Sequence, residues 1–171
     1  MISSWEDLAE KKRNHLASLI PEPWRIPVGQ LPDPSERNMV AFMEKCGLLN
    51  SEEYMITQLT LEQLANRIAT GNLTAIQVCQ AYCHRAAIAH QLVNCLVEIN
   101  FEDAMEQAKK LDEFYQNHGK PVGPLHGIPV SLKDQFRVKG LESSIGYIAR
   151  LGQFDDDESV LTECLRRTGT N

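Results

Sequence analysis

Two short signatures, Thr60-x-x-Gln63 and Thr74-x-x-Gln77, constrain the middle of the chain more than any other feature. In each, the threonine hydroxyl can accept from a backbone N–H three residues on, and the glutamine can reach back to the threonine N–H, which marks a helix start. Leu61, Leu64 and Ile68 follow the first signature at helical spacing, and Gly71 supplies the stop. Val78, Cys79, Tyr82 and Ala86 follow the second and predict a helix to about residue 90. In "VNCLVEI", 93–99, Val93, Cys95, Val97 and Ile99 alternate on one face, which predicts a strand. Asn100 then predicts a capped helix with Ala104, Ala108, Leu111 and Tyr115 inward and Gly119 just past its end. "GIPVSLKD", 127–134, reads as a second strand. Asp155 to Asp157 read as the start of a last helix, with Val160, Leu161, Cys164 and Leu165 on its apolar side, because acidic residues suit a helix N-terminus.

Helices alternating with strands predict an α/β layer fold. A sheet normally holds about five or six strands, and only two are legible here. Gly169 ends the last helix two residues before Asn171. The pattern therefore reads as the front part of a longer domain, residues 56–171. The N-terminal stretch, 1–55, reads as an arm. Ser4 caps a helix over 4–19 with Leu8, Leu16 and Leu19 near one face. Pro21, Pro23, Pro27, Pro32 and Pro34 then force an extended path, since proline removes donors and restricts its predecessor. A short helix over 36–50 ends near Gly47. The arm is too poor in apolar residues to fold over itself and is expected to wrap over something else.

Composition narrows the function classes. A formal charge of −6 argues against nucleic-acid binding, which favours a basic face. No apolar run approaches the roughly 18 residues that suggest a membrane span. "MISSWEDLAEKKRNHL" carries charges throughout and lacks a signal-peptide core, so the expected location is the cytoplasm. Five cysteines without such a signal favour reduced thiols over a disulfide framework.

The chemistry-bearing candidates each have a plain structural reading. Lys133 ends the apolar run on the face of Ser131; a lysine at a strand end can point into a cleft, where burial favours its neutral, basic form. By pattern alone it is a solvated Lys133-Asp134 pair. His126 reads as a loop or packing residue. Ser143-Ser144 lies ten residues beyond Lys133 in "GLESSIGY", which is no nucleophile-elbow context. Cys79, Cys83, His84 and His90 lack a second ligand pair at zinc spacing, and the two thiols read as core. Cys95 with a histidine has no supporting motif. The acidic run 155–158 reads as a solvated helix start rather than a cation loop.

"GPLHGIPVSLKDQFRVKG", 123–140, resembles the lysine-bearing segment of the amidase signature family. "LTLEQLANRIATGNLTAIQVCQAYCHRAAIAHQLVNCLVEI" is similar to that family's two helices and following strand. "AYCHRAAIAHQLVNCL" and the leading "WEDLAEKKRNHLASLIPEPWRIP" resemble its acetamidase-like, fungal-type branch. The resemblance implies an amidase signature fold, a mixed sheet with helices on both faces, incomplete here. It implies cleavage of a carboxamide C–N bond to carboxylate and ammonia or amine through a Ser-cisSer-Lys triad, with Lys133 as the lysine. It implies no metal and no organic cofactor and a small amide as substrate once the domain is complete; charge and hydropathy argue against a nucleic-acid or membrane partner, and a homo-oligomer stays open. Both catalytic serines and the oxyanion loop lie after the last helix in the family, beyond Asn171. Ser143 and Ser144 fall where the family usually has a threonine pair. The chain by itself is thus expected to be inactive; the other expectation is a non-catalytic binding or regulatory partner of a full-length relative.

Overall fold

The structure, a computed structural model, describes residues 4–171. Its helices are α1 (Trp5–Ser18), α2 (Met39–Lys45), α3 (Ser51–Thr57), α4 (Leu61–Ala69), α5 (Ala75–Val93), α6 (Phe101–His118) and α7 (Val160–Arg167). Among the described residues no helix is long and apolar enough to cross a membrane.

α5 organises the fold. Val78, Cys79, Ala81 and Ala87 on it are wholly buried, because α3 and α6 pack against it. A helix covered on several sides must be apolar around much of its circumference. Both expected capping boxes form: Gln77 N–H donates to Thr74 Oγ1 at 3.1 Å and Thr74 N–H to Gln77 Oε1 at 2.9 Å, with the same exchange between Thr60 and Gln63. Two donors at the start of α5 remain beyond the reach of Thr74. Asp112 of α6 takes both, accepting from Ala75 N–H at 2.7 Å and Ile76 N–H at 3.0 Å. Helix capping thereby becomes helix packing.

The apolar core has three parts. Ile56, Leu64, Ile68, Leu73, Val78, Ala81 and Ile128 form one. Leu16, Ile20, Ala87 and Ile99 form a second, and Ala75, Cys79, Cys83 and Ala108 a third. Each fully buried aliphatic side chain contributes about 1.5–3 kcal/mol. The proline-rich stretch lies over this layer. Trp24 stacks on His84 with ring centroids 5.2 Å apart and meets Phe101 edge-on at 5.8 Å. The Gln91 amide clamps the same stretch, donating to Trp24 O at 2.9 Å and accepting from Ile26 N–H at 2.9 Å.

Several expectations are corrected. No strand forms among the described residues, so the mixed sheet is not present in them; the one β-bridge pairs Glu142 with Phe154 antiparallel. Over 93–99, α5 runs on to Val93 and is stopped by Asn94, which takes the left-handed conformation (φ 50°) and donates to His90 O at 2.7 Å. Of the alternating residues only Ile99 is buried; Val93 and Val97 are exposed. Alternation alone does not make a strand without a neighbour to pair with. Residues 127–134 show this directly. Asn171 N–H donates to Ile128 O at 3.2 Å and Val130 N–H to Asn171 O at 3.2 Å, the two bonds of a parallel pair around Pro129. The same two stretches are also joined by Leu125 N–H donating to Thr168 O at 3.0 Å and Gly127 N–H to Gly169 O at 2.8 Å.

The last helix starts at Val160, capped by Ser159, instead of at 155–157. Asp155 is engaged elsewhere: its N–H donates to Leu141 O at 2.9 Å and its C=O accepts from Gly140 N–H at 2.8 Å. The expected apolar side of α7 faces outward, with Val160 77% exposed and Cys164 exposed. Thr162 turns inward, its hydroxyl donating to Arg137 O at 3.0 Å. Asn100 occupies the N-cap position of α6 without a side-chain bond to the backbone; its amide donates instead to Asp103 Oδ2 at 3.2 Å. α3 was not foreseen, although Asn50 and Glu53 carry the same reciprocal box.

Candidate active site

The segment that carries Lys133 is seated at its start and free at its end. Gly127 has φ +73°, and a Cβ there would stand 2.7 Å from the Ala75 Cβ. Only glycine permits that approach. It drops Ile128 into the core at 5% exposure. From Val130 onward the segment rises out of the core, and Lys133 is exposed. Among the described residues its side chain has no hydrogen bond or ion pair, while its C=O accepts from Phe136 N–H at 2.9 Å in a tight turn.

Asp134 is engaged through one carboxylate oxygen. Its Oδ2 accepts from Ile145 N–H at 2.5 Å and from the Ser144 hydroxyl at 3.3 Å. Ile145 sits at φ 52°, an unfavourable conformation for a β-branched residue, and the Asp134 carboxylate fixes it there. The Ser143 hydroxyl donates to Asp155 Oδ2 at 2.5 Å. Ser143 and Ser144 are therefore structural donors to carboxylates.

His126 is 3% exposed. Its Nδ1 accepts from Val122 N–H at 3.1 Å, which makes Nε2 the protonated nitrogen of the neutral ring. Nε2 has no partner. Burial pushes its pKa below the usual histidine range, partly opposed by the Asp112 charge. His126 also lines a groove of about 260 Å³ with Asn66, Ala69, Pro121, Gly123 and Pro124, which Lys133 does not border.

The other candidates are not brought together. Cys79 and Cys83 are buried with sulfurs 3.8 Å apart; the hydrogen bond with Cys83, then burial, push the Cys79 thiol up, away from the reactive thiolate. His84 binds Glu53 at 3.0 Å, His90 Nδ1 accepts from Leu96 N–H at 3.0 Å, and Cys95 is exposed. No group of three or more metal-binding side chains is assembled among the described residues. A cluster with no sequence signature was missed: Lys12 of α1 pairs with Glu98 and, at 3.0 Å, with Glu142. Its members lie 86 and 130 residues apart in sequence, beyond any local pattern.

The backbone of the described residues resembles part of a solved fatty acid amide hydrolase. That structure superposes with a TM-score of 0.90 and 36% identity over 98% of this chain and 30% of its own. The Amidase family model matches residues 77–171, and the chain belongs to that family. It is 47% identical over 169 residues to an acetamidase of Emericella nidulans, covering 99% of this chain and 30% of that protein. An acetamidase of Aspergillus oryzae is 45% identical, covering 98% of this chain and 30% of its own length. The acetamidase-like resemblance of the sequence is thus shown. The chain spans about 30% of the length of these curated relatives.

Proposed function

We propose that these residues supply the lysine base, and the helical layer that seats it, to an amidase cleaving small carboxamides. The observation that carries the reading is the contrast at 133–144: Lys133 is exposed and without a side-chain partner among the described residues, while Asp134, Ser143 and Ser144 are committed to structural bonds. In the mechanism implied by the family, a neutral lysine takes a proton through a bridging serine in a cis peptide. The nucleophilic serine then attacks the carboxamide carbon. Backbone N–H groups stabilise the oxyanion, ammonia or an amine leaves, and water releases the carboxylate. A lysine serves as base only when uncharged, and burial favours that form, so covering of Lys133 by further protein is part of the proposal. The parallel pair around Pro129 supports residues 128–130 as the nucleus of the family's mixed sheet. No metal or organic cofactor enters, and the reaction is placed in the cytoplasm.

The test uses a chimera in which these residues replace the matching part of the Emericella nidulans acetamidase. Ammonia release from simple amides is expected, with Lys133→Ala lowering kcat by about 10²–10⁴-fold, the usual range for acid–base groups. Undiminished turnover would overturn Lys133 as the base. The 171-residue chain alone is expected to release no ammonia, since neither of its serines nearest Lys133 in sequence beyond the turn is free to attack.

A further inference from the structure

The Lys12 cluster has no part in the chemistry above, yet it lies at the root of the loop that follows Lys133. Lys12 bridges Glu98 and Glu142, and the three side chains are only 14%, 18% and 8% exposed. The second Glu142 oxygen accepts from Gly152 N–H at 2.8 Å, and Glu142 is also half of the β-bridge with Phe154. Two and three residues on, the Ser144 hydroxyl and Ile145 N–H hold Asp134, the neighbour of Lys133. α1 also packs against the short 3₁₀ turn at Ile148–Arg150. A continuous polar path therefore runs from α1 through Glu142 and the 142–145 backbone to Asp134. Apolar burial does not hold this loop, because beyond Ile128 every buried side chain among the described residues is polar. The cluster is one cation facing two glutamates, with Asp134 adding a further negative charge near Glu98. Without the cation, two carboxylates would be left poorly solvated and repelling one another, which is strongly unfavourable.

We propose that Lys12 is a positioning residue for Lys133: it pins the 141–152 loop to α1 and, through Glu142, Ser144, Ile145 and Asp134, sets the position of the Lys133 turn. The proposal rests on reading Lys133 as the base, but its test does not require turnover. Amide hydrogen exchange and the Lys133 side-chain NMR signal are measured on the 171-residue chain, its Lys12→Met and Lys12→Arg variants, and Glu142→Gln. Exchange at Ile145 and Gly152 is expected to rise at least about tenfold in Lys12→Met, with α5 amides unchanged and the Lys133 signal displaced. Lys12→Arg restores both, because it returns the cation. Glu142→Gln, which keeps an acceptor for Gly152, shows the same displacement in smaller measure and serves alone if Lys12→Met does not fold. An unchanged Ile145, an increase shared equally by α5, or an unmoved Lys133 signal each overturns the proposal. Loss of the base role would instead show as undiminished turnover in the Lys133→Ala chimera, leaving the exchange result intact.

Discussion

Residues 51–118 and 129–171 solve the same problem by opposite means. The first stretch hides apolar side chains: α3 to α6 place Ile56, Leu64, Ile68, Val78 and Ile88 in the core. The second hides polar ones, Glu142, Ser144, Thr162 and Thr170, and leaves Val130, Ile145, Tyr147, Phe154, Val160 and Leu161 exposed. A helix satisfies its own backbone and needs only a covered stripe. An extended segment must find its hydrogen bonds elsewhere, and residues 129–171 find them in carboxylates, hydroxyls and turns. The lesson is that the stretch carrying Lys133 is held by directional bonds while residues 51–118 are held by burial. The two should therefore fail differently.

The largest effect should come from the buried half. Ile88→Ala empties a site only 1% exposed and is expected to lower unfolding free energy by about 2–5 kcal/mol, read by urea titration. Val160→Ser, at a residue 77% exposed, should change it by no more than about 0.5 kcal/mol. Comparable losses would break the comparison.

Asp112→Ala comes next. It leaves the Ala75 and Ile76 N–H groups without their acceptor and is expected to remove about 1–3 kcal/mol and to raise amide exchange at the start of α5. Thr162→Val removes the bond to Arg137 O; about 1 kcal/mol is expected, with faster exchange confined to 137–162. If that variant loosened α5 as well, the two halves would have to be regarded as one cooperative unit.

The smallest effect concerns pH. Burial holds the folded His126 below its ordinary pKa of 6.5. The unfolded chain therefore binds a proton first as pH falls. Stability should be undiminished above pH 6.5 and should decline below it, down to the depressed native value. His126→Asn, whose carbonyl can accept from Val122 N–H in place of Nδ1, should flatten this acid limb. An unchanged slope of thermal midpoint against pH would place the sensitivity elsewhere, His90 being the next group whose pKa burial lowers.

The sequence alone determined α4, the start of α5 and the span of α6, because capping boxes, helical periodicity and a left-handed Gly119 act within about four residues. It also determined the family, through the run around Lys133. Local signals misled where the outcome rested on distant groups. The alternation in 93–99 met no pairing strand, and the apolar side of α7 met no core, so Thr162 turned inward to Arg137 instead. Only the tertiary structure could bring Lys12 to Glu98 and Glu142, seat Trp24 on His84, or lay Asn171 beside Pro129. The physical reason is range. Capping and periodicity are settled between neighbours along the chain, whereas ion pairs, aromatic stacking and strand pairing exist only once the chain has closed on itself.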